Sequence, residues 1–307
     1  MKLISNFKKL LLSLPSRYDL KWALFPLKVE QRALMLKQNI LFNTASGVEK
    51  DLYDGKEVVV SLSTFGERIC FAALAIESVM EQTMKANRIV LWLDKSFDAP
   101  GRIPNSLKLL QKRGLEIRFT DDLGPQTKLI PSLRAFPDAI IITVDDDCYY
   151  DYDMLEHLYD TYRQYPDSIC GNRVVSITDS DGNGVEFKDW GTGRIGDGPS
   201  MRPLAMGVGG VLYPPHSLNE EIFDVARMKE LCPKADDIWF KAMALLNGTT
   251  VVKAFDIYNA DGKKYLPHPY DDSIKLETYN VGDGGNDLQF RAVMDYYNLW
   301  DRLKNNE

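Results

Sequence analysis

The sequence lacks the marks of several protein classes. Its 307 residues contain no run of about 18 uncharged apolar residues, so we expect no helix that crosses a membrane. None of the four cysteines stands at C-x-x-C spacing, and none has a histidine at the spacing of a zinc site. A disulfide scaffold is therefore not expected. We predict free and mostly buried thiols at Cys70, Cys148, Cys170 and Cys232.

An excess of basic residues is also missing. The net charge is −7, whereas a general nucleic-acid binder needs a basic face, so we expect no nucleic-acid partner. Hydrophobic residues make up 45% of the chain and charged residues 26%. This ordinary globular composition excludes disordered, collagen-like and coiled-coil proteins.

The N-terminal end differs in charge from the rest of the chain. Residues 1–37 carry a net +6, so the remainder carries −13. Leucine and phenylalanine recur there at helical spacing beside lysines, and Pro15 limits the helix. We interpret residues 1–17 as an amphipathic helix that contacts the inner face of the cell membrane peripherally, in a cytoplasmic protein. The alternative is a helix packed on the protein body with solvated lysines.

Four apolar runs of β type alternate with helical patterns between residues 57 and 165. The runs are EVVVSLSTF (57–65), NRIVLWLD (87–94), LEIRFTDD (115–122) and DAIIITVDDD (138–147). The helical patterns cover 68–81, 104–113, 127–136 and 152–165. This order predicts an α/β fold in which parallel βαβ units form one doubly wound sheet flanked by helices. Such sheets bind ligands at the carboxyl ends of their strands.

Three aspartates directly follow the fourth predicted strand. Asp145, Asp146 and Asp147 repel one another, and such repulsion persists where a cation or solvent compensates it. Mg²⁺ and Mn²⁺ bind carboxylate oxygens, and Mg²⁺ is commonly coordinated by substrate phosphates as well. Asp145 and Asp147 point the same way if the segment is extended, so we predict that they flank one ion. The alternative is an acidic turn that caps the helix beginning near Asp151 or Asp153.

The order of these segments resembles a known family. The segments that carry the resemblance are VVVSLSTFGERI (58–69), RIVLWLD (88–94), GLEIRFTDD (114–122), KLIPSL (128–133) and IIITVDDD (140–147). They are similar to nucleotide-sugar-dependent glycosyltransferases of GT-A fold, most of all to the bacterial branch near family 2 that builds capsules, O-antigen lipopolysaccharide and exopolysaccharides. The resemblance implies an enzyme that uses Mn²⁺ or Mg²⁺ and moves a sugar from a nucleotide-diphosphate donor, expected to be a UDP-sugar, to a glycan acceptor, expected to be lipid-linked.

The resemblance also implies a domain organisation. It predicts a helical extension over residues 1–55, a GT-A catalytic domain over 56–285 and a C-terminal helix over 286–307. Within the catalytic domain, 56–165 would bind the nucleotide and 166–285 would bind donor sugar and acceptor. VVKAFDIYN (251–259) is a further predicted strand, and we expect the second half to complete the same sheet.

The donor site implied by the resemblance lies at the strand ends. The residues concerned are Ser63, Thr64, Arg68, Asp94, Asp122, Lys128, Asp145, Asp146, Gly209 and Gly210. The first three would lie by the base and ribose, and Asp94 would hold the base. Asp121 or Asp122, with Lys128, would approach the nucleoside or the diphosphate. Arg68 and Lys128 have a surface ion pair as the alternative.

Metal ligands follow from the same resemblance. Asp145 and Asp147 match the first and last members of the DxD motif and would touch ribose and metal. His268 would be a third metal ligand or a diphosphate contact. The glycines of MGVGGVLYPP (206–215) would let backbone approach a ligand closely, whereas the alternative there is a tight core strand. Trp190 and Trp239 are candidate sugar-stacking platforms, and the alternative for both is burial in the core.

The acceptor side depends on KADDIWFKAMALLNG (234–248), in which an aspartate pair begins a predicted helix. An acceptor hydroxyl has a pKa far above neutral, so its proton must leave as the sugar carbon is attacked. The pair resembles the (E/D)D motif of inverting GT-A enzymes. We predict Asp237 as the general base and Asp236 as a cap or orienting neighbour, with the reverse assignment open. Ordinary helix capping is the alternative.

Three other functions remain open. A retaining GT-A enzyme would share the donor site. A sugar-phosphate nucleotidyltransferase normally has a glycine-rich, basic loop after its first strand, where this chain has STFGERI. A non-catalytic carbohydrate-binding protein would not need an aspartate triplet at the ends of a parallel sheet.

Overall fold

The computed structural model describes residues 17–177, 186–190, 198–254, 265–267 and 284–303. Its helices are α1 (Arg17–Phe42), α2 (Ile69–Met80), α3 (Asn105–Gln111), α4 (Ile130–Ala135), α5 (Met154–Gln164), α6 (Val225–Leu231), α7 (Asp236–Asn247) and α8 (Gly285–Tyr296). Within these residues, no helix is long and apolar enough to span a membrane. The amphipathic segment over 1–17, apart from its last residue, and His268 lie outside the described residues.

The strands form one large sheet and two small ones. They are β1 (Val58–Ser63), β2 (Arg88–Asp94), β3 (Leu115–Thr120), β4 (Ile140–Thr143), β5 (Cys148–Tyr150), β6 (Ile169–Gly171), β7 (Val174–Ser176), β8 (Pro203–Ala205), β9 (Val211–Tyr213), β10 (Val251–Lys253) and β11 (Tyr265–Pro267). The large sheet has seven strands in the order β10-β6-β9-β4-β1-β2-β3. Only β9 runs antiparallel to its neighbours, so the predicted, mostly parallel sheet flanked by helices is confirmed.

Both faces of the sheet are covered, and this explains the unbroken apolar runs. Val58, Val60 and Leu62 of β1 belong to one core cluster, which includes residues of α2, α3 and α5. Val59, between them, belongs to the other cluster, which includes residues of α7 and α8. Successive side chains of a strand point to opposite faces, so a strand between two cores is apolar at every position.

The second half completes the same sheet, as the sequence predicts. Strands β6, β9 and β10 extend it beyond β4. α7 ends at Gly248, whose φ of 76° is left-handed and favours glycine. Within the predicted strand 251–259, the described part ends at Ala254, and the strand itself covers Val251–Lys253.

Two local predictions are corrected. The fourth strand ends at Thr143, so Asp145–Asp147 lie in a turn and the premise of an extended segment is wrong. The backbone N–H of Asp145 donates to the hydroxyl of Tyr150, which holds this turn against the following strand. The short helix predicted over 127–136 is present as α4, but it begins only at Ile130, because a 3-10 turn at Gly124–Lys128 precedes it.

Candidate active site

Several charged side chains meet where β1 and β4 end at their carboxyl edge. They come from the turn between β1 and α2, from the 3-10 turn Gly124–Lys128, from the turn after β4 and from the first turn of α7. Their residues are Arg68, Lys128, Asp145, Asp146, Asp147, Asp236 and Asp237. All seven are predicted site residues, and the fold brings them together from positions far apart in the chain.

Arg68 binds the aspartate triplet. Its Nε lies 3.1 Å from Oδ2 of Asp146, its Nη2 contacts the other oxygen of that carboxylate, and Nη2 lies 2.9 Å from Oδ2 of Asp147. Its side chain is 14% exposed. Arg68 therefore forms ion pairs, as the alternative has it, but they are mostly buried rather than at the surface. Burial lowers the pKa of Arg68, but Asp146 and Asp147 outweigh it and raise the pKa.

Asp146 is the most enclosed carboxylate of the triplet. Burial raises its pKa to about 6, the Asp147 charge adds to the rise, and Arg68 opposes it. Asp147 is more open, at 31% exposed, and Asp145 is 25% exposed. The two outer carboxylates of the triplet are therefore the ones that a ligand from solvent reaches first.

Lys128 lies between the triplet and α7. Its Nζ is 2.6 Å from Oδ1 of Asp145 and 2.8 Å from Oδ2 of Asp236, and its side chain is 10% exposed. Burial lowers the pKa of Lys128, but the charges of Asp145, Asp236 and Asp237 outweigh it and raise the pKa well above its usual value. Lys128 is thus a charged, buried group, and its ion pairs, unlike those of the alternative, are mostly shielded from solvent.

Asp237 is buried at the start of α7. The backbone N–H of Gly207 donates to both of its oxygens, at 3.0 and 3.1 Å. Burial raises the pKa of Asp237 above its ordinary value, as does the charge of Asp236, while Lys128 opposes the rise. A carboxylate whose pKa is raised in this way is a stronger base than an exposed one, which suits proton abstraction near neutral pH.

Gly207, one of the glycines expected to let the backbone approach a ligand, belongs to this site, although the predicted donor residues included only Gly209 and Gly210. A Cβ at this position would lie 2.6 Å from Nζ of Lys128 and 3.2 Å from Oδ1 of Asp237. The run MGVGG contained the signal, but the prediction named Gly209 and Gly210. The structure places these two against Arg173 and Met154, since a Cβ at either would lie within 3 Å of those residues.

The site has an excess of negative charge. Among the described residues it joins five aspartates to two basic side chains. The raised pKa values of Asp146 and Asp237 are the electrostatic consequence of burial together with neighbouring carboxylates. A bound cation would relieve this repulsion.

The donor set of the triplet fits a hard divalent cation. Asp145 and Asp147 offer carboxylate oxygens, and Mg²⁺ is commonly held by one or two carboxylates with substrate phosphates and water as its other ligands. In the part of the chain that the structure describes, no three His, Cys, Asp or Glu side chains are grouped so that they could hold a metal ion together. The protein would therefore supply only part of the coordination.

The remaining predicted donor residues lie at other strand ends. Thr64, 6% exposed, follows the half-buried Ser63 at the end of β1. Asp94 accepts a hydrogen bond from the Ser96 N–H at 2.9 Å, and Asp122 accepts one from the Gly124 N–H at 2.8 Å. Within the described residues, neither carboxylate joins the ion-pair network, and the base-binding role predicted for Asp94 stays a prediction.

The two tryptophans do not fit the role of open stacking platforms. Trp190 is 7% exposed and Trp239 is fully buried. Trp190 packs edge-on against Phe290 at 4.8 Å between ring centroids, and Trp239 lies 6.3 Å from the ring of Tyr297. Both rings belong to the core cluster that contains α7 and α8.

A family model matches the part of the chain that contains most of this site. Residues 60–200 match the model of glycosyl transferase family 2. The matched stretch is a little under half of the chain and is similar to that family. The matched stretch includes Arg68, Lys128 and the aspartate triplet, whereas Asp236 and Asp237 lie beyond it. The predicted enzyme class, a glycosyltransferase, is confirmed, and the capsule and O-antigen branch stays a prediction.

Solved structures with similar chain traces include three with nucleotide ligands. The mannosyltransferase PcManGT from Pyrobaculum calidifontis, in complex with GDP-Man and Mn²⁺, has a TM-score of 0.45 and 14% identity, over 75% of this chain and 67% of that one. S. aureus TarS 1–349 in complex with UDP-GlcNAc has a TM-score of 0.46 and 14% identity, over 82% of this chain and 68% of that one. CMP:2-keto-3-deoxy-manno-octonic acid synthetase with CTP has a TM-score of 0.39 and 12% identity, over 68% of this chain and 93% of that one. No curated protein matches the chain.

Proposed function

We propose that the protein is a metal-dependent, inverting glycosyltransferase that moves a sugar from a nucleotide-diphosphate donor to a hydroxyl of a glycan acceptor. The observation that carries this proposal is the grouping of five aspartates around Arg68 and Lys128, at the carboxyl edge of a parallel sheet and partly within the stretch that matches the family 2 model. Ligands of doubly wound sheets bind at this edge.

The donor diphosphate is proposed to lie by the aspartate triplet. Asp145 and Asp147 would hold Mn²⁺ or Mg²⁺, and Arg68 would stay close to the same carboxylates. When bound, the cation neutralises the charge that develops on the leaving diphosphate. The three carboxylates would otherwise repel an anionic donor, so the site requires that charge to be compensated before the donor binds.

Asp237 is proposed as the general base. Asp236 is already committed to the ion pair with Lys128, whereas Asp237 makes no ion pair within 4 Å among the described residues and accepts from the Gly207 N–H. Its raised pKa lets it take the proton of the acceptor hydroxyl as that oxygen attacks the anomeric carbon. Attack opposite to the leaving diphosphate inverts the anomeric configuration.

Several finer expectations belong to this proposal. The donor is taken to be a UDP-sugar, and the acceptor a lipid-linked glycan of a capsule or O-antigen type. Ser63, Thr64, Asp94, Asp122, Gly209 and Gly210 are proposed to contact the donor, and His268 to contact metal or diphosphate. Residues 1–17 are proposed to touch the membrane surface from the cytoplasmic side.

A panel assay tests the proposal. The purified protein is incubated with UDP-glucose, UDP-N-acetylglucosamine or GDP-mannose, with Mn²⁺ or with EDTA, and with lipid-linked glycan acceptors. We expect transfer from one donor, abolished by EDTA, with NMR showing an inverted anomeric configuration. Transfer that persists in EDTA would contradict the proposed metal dependence, and a retained anomeric configuration would contradict the role of Asp237 as general base. No transfer from any donor would overturn the proposed function.

A further inference from the structure

Lys128 connects the two halves of the site. Its Nζ touches Asp145, which follows β4, and Asp236, which begins α7, at 2.6 and 2.8 Å. The first carboxylate belongs to the proposed cation site and the second is next to the proposed base. One buried ammonium therefore links the donor side to the acceptor side.

The turn that carries Lys128 is anchored on both sides. The carbonyl of Lys128 accepts a hydrogen bond from the hydroxyl of Ser61, a fully buried residue of β1. In the same turn, Nε2 of Gln126 donates to the carbonyl of Cys232 at 2.7 Å, shortly before α7. Since the backbone of this turn is tied to β1 and the side chain of Gln126 ties it to the segment before α7, its lysine has a defined position relative to both.

The space around the ammonium is restricted. A Cβ on Gly207 would lie 2.6 Å from Nζ of Lys128, 3.2 Å from Asp237 and 3.5 Å from Asp145. The bare backbone of Gly207 thus packs against the ammonium while its N–H donates to Asp237. Lys128 and Gly207 together fix where the three carboxylates lie.

We infer that Lys128 is a positioning residue, which sets the distance between the cation-binding carboxylate Asp145 and the start of the helix that carries Asp237. This inference rests on the proposed function and deepens it. Without the ammonium, Asp145, Asp236 and Asp237 repel one another, and the first turn of α7 moves away from the triplet. A displacement of about 1 Å between reacting groups costs roughly 100-fold in rate.

This role differs from the diphosphate contact implied by the family resemblance. A lysine that binds the diphosphate directly contributes to donor binding, so its loss raises the KM of the donor. A lysine that positions the base acts on the chemical step, so its loss lowers kcat and leaves the KM of the donor nearly unchanged. The two roles are therefore separable by kinetics.

The kinetic test compares Lys128→Met with Lys128→Arg, using the sugar nucleotide that the wild type turns over fastest in the panel. We expect kcat to fall about 100-fold in Lys128→Met, with a change in donor KM of less than about threefold, and to recover in part in Lys128→Arg. Lys241→Met is the matched control, because Lys241 is also buried in this half but donates to the carbonyl of Met201. Its kcat should equal that of the wild type.

The inference is overturned if Lys128→Met keeps the wild-type kcat, or if its donor KM rises more than its kcat falls. If Lys128→Met does not fold, Lys128→Gln replaces it, since its neutral amide also removes the ammonium and leaves Asp237 and Gly207 untouched. The same loss of kcat at constant KM supports the inference, and wild-type kcat contradicts it.

A second test needs no activity, so it separates this inference from the proposed function. The single variants Asp145→Asn and Asp236→Asn and their double variant are unfolded with urea, in the wild-type background and in Lys128→Met. Two carboxylates that share one ammonium give non-additive effects, and the coupling should change in Lys128→Met, where only the direct repulsion between the two carboxylates is left. Additive effects in the wild-type background would overturn the positioning role, even in a protein that transfers sugar.

Discussion

Two groups of buried charges in this molecule have opposite balances. Beneath α1, Arg113 and Glu77 are 4% and 0% exposed and form a one-to-one ion pair at 2.5 Å, with Nε of Arg113 donating to the carbonyl of Ala45. At the carboxyl edge of the sheet, the described residues join five aspartates to Arg68 and Lys128. Both groups are buried, but only the second has surplus charge.

The difference separates structural ion pairs from functional ones. A balanced ion pair needs no bound ligand to neutralise its charges. Its effect on the free energy of unfolding becomes visible when one partner is removed. A surplus of carboxylates raises the pKa of its members and costs stability, so it persists where a ligand supplies the missing positive charge. We therefore expect substitutions at the sheet edge to affect catalysis and substitutions at the balanced pair to affect folding.

The largest effect is expected for Asp237→Asn. The amide keeps the shape and can still receive the Gly207 N–H, but it cannot accept the acceptor's proton. We predict that kcat falls by about 1,000-fold or more while the donor still binds, because a positioned base contributes about 100- to 10,000-fold. Kinetics and calorimetric donor binding measure the two quantities. Asp224→Asn, at the exposed cap of α6, is the control and should keep full activity.

Asp147→Ala comes next. It removes one carboxylate of the proposed cation site and one partner of Arg68. We predict that the rate of sugar transfer falls at least about 100-fold and that the affinity for Mn²⁺, measured by calorimetry, falls with it. Asp138→Ala, a change at an exposed carboxylate beside His216, should alter neither. Full Mn²⁺ affinity in Asp147→Ala would place the cation elsewhere.

Arg113→Met tests the balanced pair. It leaves Glu77 buried without its cation, and burial already raises the pKa of that carboxyl. We predict a loss of about 3–5 kcal/mol in the free energy of unfolding, measured with urea, and an unchanged kcat per folded molecule. A change in kcat larger than about threefold would contradict the claim that the balanced pair affects folding and not catalysis.

The smallest effect concerns an isolated buried charge. Burial lowers the pKa of Lys241 to about 7, so between that value and its unfolded pKa near 10.5 the unfolded chain binds one more proton. The free energy of unfolding should therefore rise from pH 7 to pH 9, by on the order of 2 kcal/mol relative to Lys241→Met. Parallel stability curves for the two proteins would show that Lys241 has an ordinary pKa.

The parallel part of the fold followed from sequence because its signals are local. The run VVVSLS in β1 is apolar or small at every position, since both faces of the sheet are covered. The residue at which β4 ends could not be predicted from the sequence. The apolar run continues to Val144, and the chain leaves the sheet after Thr143, where its partner strand β1 reaches Ser61 in register.

The site could be predicted in composition but not in its pairings. The aspartate triplet and the pair Asp236–Asp237 stand out in sequence as carboxylates at element ends. Their partners depend on tertiary contacts across 17 to 108 residues of chain, so Arg68 and Lys128 were placed near the nucleotide or on the surface. Gly207 was expected to allow close backbone approach, but its contact with Lys128 was not, because that contact depends on how the chain folds.

The central claim is that the surplus of carboxylates at the sheet edge is a site for a divalent cation and a nucleoside diphosphate. Calorimetric titration with UDP and with GDP, in Mn²⁺ and in EDTA, tests it most directly. We predict that at least one of them binds about tenfold or more tighter in Mn²⁺, and that Asp147→Ala removes this difference. Equal affinity in Mn²⁺ and EDTA, or no binding of either nucleotide, would contradict the claim.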